Sequence, residues 1–261
     1  MALLEDGAFR DATSAIIPNR RVTGRFLAKQ DLVVCGLDLA RRAFRHVGVS
    51  FRPRVRDGAR AKKGTVLALV EGPARRVLAG ERTALNFVQQ LSGVATITRR
   101  FADVARPARV YDTRKTTPGL REFEKYAVRC GGGYNHRMGL HDGVMIKDNH
   151  IAAIGDLETL RERVEALAAN GRPIVLEAAT QEQARLFATY PIQVLMLDNF
   201  TVPGLRRAVR AVRDLNPNVE IEASGGVNLK TVRAIARTGV DRVSVGALTH
   251  SAPAVDISLE L

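Results

Sequence analysis

The segment 130–150, CGGGYNHRMGLHDGVMIKDNH, places three consecutive glycines shortly before His136 and Arg137, and it reaches Lys147 after a short apolar run. Consecutive glycines lose much conformational entropy on folding, and they occur where the backbone bends sharply or comes close to another group. Arg and Lys side chains, and protonated His, bind anions through charged hydrogen bonds. The pattern therefore predicts a loop that brings basic side chains onto a small, negatively charged ligand.

Short apolar runs and amphipathic helical segments alternate from about Arg109 to the end of the chain. This alternation is typical of parallel β/α units, and six evident runs, with a less obvious seventh, favour a barrel over an open sheet. Nearly every run ends in polar residues or glycine: Asp112, Arg114, Lys115, Lys147, Glu177, Asp198, Glu222, Ser224 and Gly246. Because the active site of a β/α barrel forms at the C-terminal ends of its strands, we expect these residues to share one site.

Glycines end the last two runs, as Ser224-Gly225-Gly226 and as Gly246. Many barrels bind a phosphate monoester through backbone amides at their last two loops. The two strand ends therefore predict a phosphate site. Glu177 and Asp198 end successive earlier runs, and with a phosphorylated ligand they are interpreted as ligands of Mg²⁺, direct or through water, because hard cations prefer oxygen.

The predicted site contains more positive charge than one phosphate requires. Its cationic side chains are Arg114, Lys115, His136, Arg137 and Lys147. A substrate with several negative charges would use them, and arginine offers planar, bidentate contacts to carboxylates. Taken singly, each residue is explained as a surface charge, or as a structural imidazole for His136. Their combination behind three glycines favours a binding site.

The first hundred residues mix helix and strand. The patterns predict a helix closed by Gly48, strands over 49–55 and 64–72, and a long helix from about Val77. On the long helix, Leu85, Val88 and Leu91 form an apolar stripe, and Arg82 precedes Leu85 by three residues. Arg82 either extends along the edge of this face or points into a partner's pocket.

Composition limits the alternatives. The net charge of +13 and the pI near 10.6 are compatible with nucleic-acid binding, but no DNA- or RNA-binding motif appears and aromatic residues make up only 5%. No apolar run of about eighteen residues predicts a membrane span. Cys35 and Cys130 show no pairing or metal-ligand spacing, and the N-terminus shows no signal-peptide pattern. We therefore expect a cytoplasmic protein with reduced thiols that binds neither nucleic acid nor membrane.

Several blocks resemble the quinolinate phosphoribosyltransferases, the family also called nicotinate-nucleotide pyrophosphorylases. These blocks are ERTALNFVQQLSGVAT, DTRKTTPGLREFEKYAVRCGGGYNHRMGLHDGVMIKDNHI, LEAAT, MLDNF, EASGGV and GVDRVSVGALTHS, and the match spans nearly the whole chain. The resemblance implies an α/β fold with an N-terminal α/β sandwich over 1–106 and an incomplete, seven-stranded β/α barrel over 107–261, whose last residues can pack back on the N-terminal domain. It also implies phosphoribosyl transfer from phosphoribosyl pyrophosphate to quinolinate with decarboxylation, which gives nicotinate mononucleotide, pyrophosphate and carbon dioxide for NAD biosynthesis.

Residue roles also follow from the resemblance. Quinolinate carboxylates would be held by Arg114, His136, Arg137 and Lys147. The magnesium-bound sugar pyrophosphate would be served by Lys115, Glu177 and Asp198, and its 5-phosphate by Ser224, Gly225, Gly226, Gly246 and His250. Arg82 would reach in from a neighbouring subunit of a homodimer or a multiple of dimers. Lys147 is a candidate for protonating the decarboxylated carbon.

The chain departs from the family pattern at two places. Arg10 stands at the first position of a Gly-Asp-x-Thr motif, and Val175 leaves a Glu-x-Glu strand with only Glu177. Alternative functions remain open: a paralogue acting on another aromatic acid, a lyase that forms a Schiff base at Lys147 or Lys115, and a scaffold with a basic surface.

Overall fold

A computed structural model describes residues 1–261. The chain forms two compact units. Unit 1 comprises 1–99, 117–132 and 251–261, and unit 2 comprises 100–116 and 133–250. Unit 2 thus begins at Arg100 rather than at 107, and unit 1 includes both the internal segment 117–132 and the last residues, 251–261.

Unit 1 is built on an antiparallel sheet. Its strands are β1 (Arg21–Ala28), β2 (Leu32–Val33), β3 (Ser50–Pro53), β4 (Arg60–Ala61), β5 (Val66–Pro73) and β12 (Ile257–Glu260). Four of them pair in the order β12-β1-β5-β3, and β2 pairs with β4. The predicted strands over 49–55 and 64–72 are therefore confirmed as β3 and β5.

Unit 1 contains three helices and the first part of a fourth. They are α1 (Ala2–Glu5), α2 (Leu37–His46), α3 (Ala74–Ala105, which ends in unit 2) and α4 (Arg121–Cys130), with a 3-10 turn at Ala12–Ile16. Asp11 caps that turn by accepting from the Thr13 amide at 2.9 Å. The two predicted helices are confirmed as α2 and α3.

The core of unit 1 is apolar. Phe26, Phe44 and Phe51 are buried with ring centroids 5.4 to 5.8 Å apart. Leu85 and Val88 of α3 belong to the same cluster. The apolar stripe of α3 is thus covered by its own unit, and it gives no reason to expect a second subunit over it.

Unit 2 is a parallel β/α assembly. Its strands are β6 (Arg109–Tyr111), β7 (Val144–Ile146), β8 (Ile174–Ala178), β9 (Val194–Asp198), β10 (Glu220–Ser224) and β11 (Arg242–Ser244), in the order β6-β11-β10-β9-β8-β7. All six predicted runs form strands. Tyr134 makes an isolated parallel bridge to Tyr111, so the seventh strand is reduced to a single bridging residue beside β6.

Helices follow the strands of unit 2. They are α5 (Asp148–Ile154), α6 (Leu157–Ala169), α7 (Gln181–Phe187), α8 (Val202–Leu215), α9 (Val232–Ala236) and α10 (Ala247–His250). Thr180 caps α7 by accepting from the Gln183 amide at 3.2 Å. The Asn228 side chain accepts from the Lys230 and Thr231 amides in the turn that leads into α9.

Alternation along the strands of unit 2 separates two environments. Leu176, Leu195 and Ile221 are fully buried. The neighbouring positions hold Glu177, Met196 and Glu222, which lie side by side in the register of β8, β9 and β10. Two carboxylates thus flank Met196 in one row, whereas the alternate positions hold buried leucine and isoleucine. No helix of the protein has the length and apolarity needed to cross a membrane.

Candidate active site

A cavity of about 610 Å³ lies at the C-terminal ends of the strands of unit 2. Among the residues that line it are Arg114, Lys115, His136, Arg137, Lys147, Asp198, Ser224, Gly225, Gly226, Gly246 and His250. The structure thus brings together eleven of the thirteen predicted site residues. Glu177 contacts this group through Lys147, whereas Arg82 is exposed on α3 and does not line the cavity.

Asp112 anchors the loop that carries His136 and Arg137. Its carboxylate is fully buried and accepts from the His136 backbone amide at 2.8 Å and from the Asn135 side chain at 2.6 Å. Sequence reasoning placed Asp112 at a strand end without a role. Its position directly after β6 was the available signal, because buried strand-end carboxylates commonly bind loop amides.

The glycines before this loop serve packing within unit 1. A Cβ on Gly131 would lie 2.5 Å from the Ala95 carbonyl oxygen of α3, and Gly132 has φ of +85°. The predicted sharp bend and close approach are present. The approach observed, however, is between α4 and α3, so these glycines position the end of α4 and do not themselves touch the cavity.

Arg137 is held at the cavity wall. Its guanidinium donates to the Gly143 carbonyl at 3.1 Å. Burial lowers the pKa of Arg137, and the nearby positive charge of Arg114 lowers it further. Two arginines that repel each other in a partly buried cavity are a favourable arrangement for an anion with more than one carboxylate, because the anion relieves the repulsion.

Lys147 forms an ion pair with Glu177. The distance between Lys147 Nζ and Glu177 Oε2 is 2.7 Å, and the Glu177 side chain is 8% exposed while that of Lys147 is 41% exposed. The Lys147 amide also donates to His150 Nδ1 at 3.1 Å, at the start of α5. Glu177 therefore fixes the ammonium group of Lys147 at the cavity rather than lining the cavity itself.

Asp198 is oriented by the residue that follows it. Asn199 has a left-handed backbone with φ of 56°, and its side chain donates to Asp198 Oδ2 at 2.6 Å. The Asn199 amide donates to the Ser224 carbonyl at 2.9 Å, which ties β9 to the glycine turn after β10. A Cβ on Gly225 would overlap Asn199 Oδ1, so this contact requires glycine.

The last two loops carry the predicted phosphate-binding glycines. Gly225 and Gly226 have φ of +85° and +62°. A Cβ on Gly246 would lie 3.1 Å from both Lys115 Cδ and His250 Nε2, so glycine lets these two basic side chains come close to the backbone. The Thr249 hydroxyl donates to the Lys115 carbonyl at 2.7 Å and thereby fixes the loop after β6 against α10.

A buried ion network lies beneath the cavity. Arg242 donates to Glu222 Oε2 at 2.6 Å and to Glu220 Oε2 at 2.9 Å, and its guanidinium is 4.7 Å from the ring centre of Tyr111. Burial raises the pKa of Glu222, but the contact with His136 and the charge of Arg242 outweigh burial, so its pKa lies below the ordinary value. Sequence reasoning gave Arg242 no role, although it lies in the block GVDRVSVGALTHS, because it begins its strand rather than ending it.

The rest of the cavity floor is apolar. Val175, Val194 and Met196 form a small buried cluster against Met145, and both methionines line the cavity. Val175, which stands at the position of the missing acid, is therefore packed against other apolar side chains. A flat, apolar ring fits such a floor, because methionine makes favourable contacts with aromatic rings.

Known families match both halves of the chain. Residues 11–92 match the model described as "Quinolinate phosphoribosyl transferase, N-terminal domain", and residues 94–260 match that of the C-terminal domain. The chain belongs to the quinolinate phosphoribosyltransferase family. The match covers both the antiparallel sheet of unit 1 and the cavity-bearing strands of unit 2.

Curated relatives agree over the full length. The chain is 43% identical over 281 residues to "Quinolinate phosphoribosyltransferase [decarboxylating] 2, mitochondrial" of Nicotiana glauca, covering 100% of this chain and 80% of that protein. It is 40% identical over 264 residues to "Probable nicotinate-nucleotide pyrophosphorylase [carboxylating]" of Bacillus subtilis, covering 99% of this chain and 90% of that protein.

Solved structures show the same architecture. NadC from Streptococcus pyogenes superimposes with a TM-score of 0.92 at 36% identity, over 100% of this chain and 93% of that one. The nicotinate-nucleotide pyrophosphorylase from Francisella tularensis gives a TM-score of 0.93 at 33% identity, over 99% and 92% of the two chains. The fold is therefore the two-domain α/β architecture of this family.

Proposed function

We propose that the protein transfers the phosphoribosyl group of phosphoribosyl pyrophosphate to quinolinate, with decarboxylation to nicotinate mononucleotide. One observation supports this above all others. A single cavity of about 610 Å³ combines two repelling arginines and an ion-paired lysine with two glycine loops of the kind that bind phosphate. Both substrates are polyanions, and one carries the phosphate that such loops recognise.

Arg114, Arg137 and Lys147 are the proposed ligands of the two quinolinate carboxylates. They line one cavity whose floor is formed in part by Met145 and Met196. Charged donors at the wall and an apolar floor suit an aromatic ring with carboxylates at its edge. His136 also lines this part of the cavity and, through its contact with the Arg137 amide, belongs to the proposed binding group.

The sugar phosphate takes the opposite part of the cavity. Ser224, Gly225, Gly226 and Gly246 would bind the 5-phosphate with their backbone amides, helped by His250, and Lys115 would contact the pyrophosphate. Lys115 and His250 both approach Gly246 closely. The positions of Lys115 and His250 support a phosphate site that is contacted by basic side chains from two sides.

Magnesium is proposed to arrive as the complex with phosphoribosyl pyrophosphate. No group of three or more His, Cys, Asp or Glu side chains in the protein could hold a metal ion alone. Asp198 lines the cavity, whereas Glu177 is bound to Lys147. These residues fit a cation that receives most of its oxygen ligands from pyrophosphate and water, with Asp198 or Glu177 contributing directly or through water.

The proposed catalysis is electrostatic. Departure of pyrophosphate leaves an oxocarbenium-like sugar, and the ring nitrogen of quinolinate bonds to its anomeric carbon while the bond to pyrophosphate breaks. The cationic wall holds that nitrogen in line and keeps both carboxylates ionised. Carbon dioxide then leaves, because the positive ring nitrogen stabilises the electron pair left on the adjacent carbon. That carbon takes a proton, for which Lys147 is the proposed donor.

The ion pair of Lys147 weighs against the Schiff-base alternative. An imine-forming lysine must react as a free amine, whereas Lys147 Nζ lies 2.7 Å from a carboxylate oxygen. The family shown by the comparisons weighs against the scaffold alternative. A paralogue acting on another aromatic acid differs only in its substrate, and the assay must therefore include competing acids.

One assay tests the proposal directly. Purified protein is incubated with quinolinate, phosphoribosyl pyrophosphate and Mg²⁺, and nicotinate mononucleotide, pyrophosphate and carbon dioxide are measured in the same sample. We expect equal amounts of the three products, and none when nicotinate or phthalate replaces quinolinate. A failure to form nicotinate mononucleotide at micromolar enzyme would sink the proposal, and turnover of another acid would identify a paralogue.

Arg82 is proposed to complete the site of a neighbouring subunit in a homodimer or a multiple of dimers. Arg82 is exposed on α3, so it is available to another chain, although the covered stripe beside it does not require one. A mixture of the inactive variants Arg82→Ala and Lys147→Ala should regain activity on subunit exchange, because mixed dimers contain one intact site. Confirmed exchange without recovery would refute this role.

The proposed location is the cytoplasm, where both free cysteines would stay reduced.

A further inference from the structure

Glu222 is a fully buried carboxylate to which the proposed reaction assigns no role. Its Oε2 atom accepts from Arg242 and lies 3.5 Å from His136 Nε2, whereas its Oε1 atom has no hydrogen-bond partner in the protein. An ionised carboxylate without water is costly, and pairing offsets only part of that cost. Glu222 also lines the candidate cavity, and its contact with His136 links it to the loop that carries Arg137.

The two ring nitrogens of His136 have different partners. The backbone amide of Arg137 donates to His136 Nδ1 at 2.9 Å. In a neutral imidazole one nitrogen accepts and the other carries the proton. The proton of the neutral ring is therefore on Nε2, where it faces the Glu222 carboxylate.

Aromatic packing fixes the plane of the same ring. Tyr111 meets His136 edge to face, with centroids 6.3 Å apart and planes at 73°. The His136 backbone amide is bound to Asp112, and its side chain is 9% exposed. His136 is thus held at its backbone, its ring face and its Nδ1 atom, and its Nε2 atom lies 3.5 Å from Glu222 Oε2.

This geometry changes the role expected of His136. With Nδ1 occupied by the Arg137 amide and Nε2 directed at Glu222, the ring acts on Arg137 more directly than on a ligand carboxylate. Arg137 in turn is bound to Gly143 and faces the cavity. The contacts form a chain from Glu222 through His136 to the backbone of Arg137.

We propose that Glu222 is a positioning residue for quinolinate binding, which acts by holding His136 as the Nε2-protonated ring that accepts the amide of Arg137. The inference rests on the proposed function for the identity of the ligand. Glu222 does not touch the substrate in this account. Its effect appears in the affinity of the site for the dicarboxylate, and not in the use of phosphoribosyl pyrophosphate.

Two substitutions separate the acceptor role of Glu222 from its charge. Both Glu222→Gln and Glu222→Met remove the negative charge, but only glutamine keeps an oxygen for His136 and Arg242. We expect the quinolinate KM to rise about tenfold in Glu222→Met and less than about threefold in Glu222→Gln, as for loss of one buried hydrogen bond. The KM for phosphoribosyl pyrophosphate should stay within about twofold of wild type in both variants.

Glu220→Met is the matched control. Glu220 lies two residues earlier on β10, contacts the same Arg242, and neither lines the cavity nor contacts His136. The substitution Glu220→Met removes a similar ion pair without changing the contacts that lead from Glu222 through His136 to Arg137. We expect its quinolinate KM to match wild type, and a rise equal to that of Glu222→Met would mean that the network only supports the fold.

The tautomer of His136 provides a readout that a structural role would not move. Nitrogen NMR of protein labelled at its histidines, with His136→Asn used for assignment, should show Nε2-protonated His136 in wild type and in Glu222→Gln. Glu222→Met should show a mixture of tautomers. A ring protonated at Nδ1 in the wild-type protein would overturn the inference, even if Glu222→Met did not fold.

Kinetic outcomes also decide the matter. Equal KM values in the glutamine and methionine variants would show a role of charge alone, and a parallel rise of both substrates' KM values would show a general loss of structure; either result contradicts the proposal. Failure of the proposed function can be distinguished from failure of the inference about Glu222, because the wild-type protein would then form no product. In that case the tautomer and the calorimetric affinity for a dicarboxylate still test Glu222.

Discussion

The sheet of unit 1 buries phenylalanines, whereas the strands of unit 2 enclose glutamates, an arginine and a histidine. Phe26, Phe44 and Phe51 pack against one another and against aliphatic side chains. Glu222 and Arg242, in contrast, are buried with each other. Apolar burial stabilises a fold directly, but buried charges cost desolvation that their pairing only partly offsets.

This difference indicates where stability and binding are located in the chain. The row formed by Glu177, Met196 and Glu222 contains two carboxylates. Glu177 orients Lys147, and Glu222 faces His136. Binding sites commonly give up stability for such preorganised polar groups.

Phe44→Ala should have the largest effect on folding. Phe44 is fully buried and packs against both other phenylalanines, so its truncation leaves a cavity. We expect a loss of about 3–5 kcal/mol in the unfolding free energy of unit 1, measured by urea denaturation. Phe44→Leu should lose much less. The folded fraction of either variant should keep the wild-type KM for quinolinate, and a changed KM would show that the two interiors are not separate in function.

Asp198→Asn should show the opposite pattern. The carboxylate lies at the cavity, where it is held by Asn199, and its loss removes the proposed contact to the metal-bound pyrophosphate. We expect the KM for phosphoribosyl pyrophosphate to rise about 10- to 100-fold, with little change in thermal stability. Quinolinate affinity, titrated without the sugar, should stay within about twofold.

Asp156→Asn is the control for Asp198→Asn. Asp156 caps α6 and accepts from the Thr159 amide at 2.8 Å, away from the cavity-lining residues. Its substitution is expected to leave both KM values unchanged. If Asp198→Asn weakened quinolinate as much as the sugar phosphate, the assignment of this carboxylate to the metal complex would be wrong.

Periodicity predicted the elements of both units better than it predicted their roles. Strands such as Val194–Asp198 follow from short apolar runs, and the long helix Ala74–Ala105 follows from its apolar face. Sequence motifs also located eleven of the cavity-lining residues. Each of these features is set by residues close together in the sequence, so the sequence pattern is enough to predict it.

Long-range features were not available from the sequence. Nothing in the pattern showed that Asp112 would bind the loop at His136, or that Arg242 would pair with Glu222 on the neighbouring strand. The same limit explains why the glycines were interpreted as approaching a ligand, whereas Gly131 approaches Ala95 and Gly132 approaches Arg99, both on α3. Residues far apart in sequence set these contacts, and only the pairing of strands and helices brings them together.

Gly225→Ala should have an intermediate effect that is confined to the phosphate side of the cavity. A Cβ at this position would displace Asn199, and φ of +85° disfavours any side chain. We expect the KM for phosphoribosyl pyrophosphate to rise about 5- to 10-fold, because the strain and the displaced side chain together cost about 1–2 kcal/mol. Gly171→Ala, with φ of +70° and no neighbour within 4 Å, introduces strain alone and should leave the KM unchanged.

The smallest effect concerns the pH dependence of stability. Burial raises the pKa of Glu222, but the contact with His136 and the charge of Arg242 outweigh burial, so the pKa in the folded protein lies below the ordinary value of 4.5. A carboxylate with a lowered folded pKa contributes stability that is complete above its unfolded pKa. That stability is lost as the pH falls below 4.5 through the folded pKa.

Glu222→Gln removes this titration while keeping the shape of the side chain. Urea denaturation of both proteins from about pH 7 to about pH 3 should therefore show a smaller acid-induced loss of unfolding free energy in the variant. Exposed carboxylates with lowered pKa values, such as Asp31 and Glu260, titrate in both proteins and cancel in the difference. If the difference in unfolding free energy between the two proteins stayed constant below pH 4.5, the partners of Glu222 would not stabilise its charge. The contrast between the two interiors would then rest on the shape of their side chains alone.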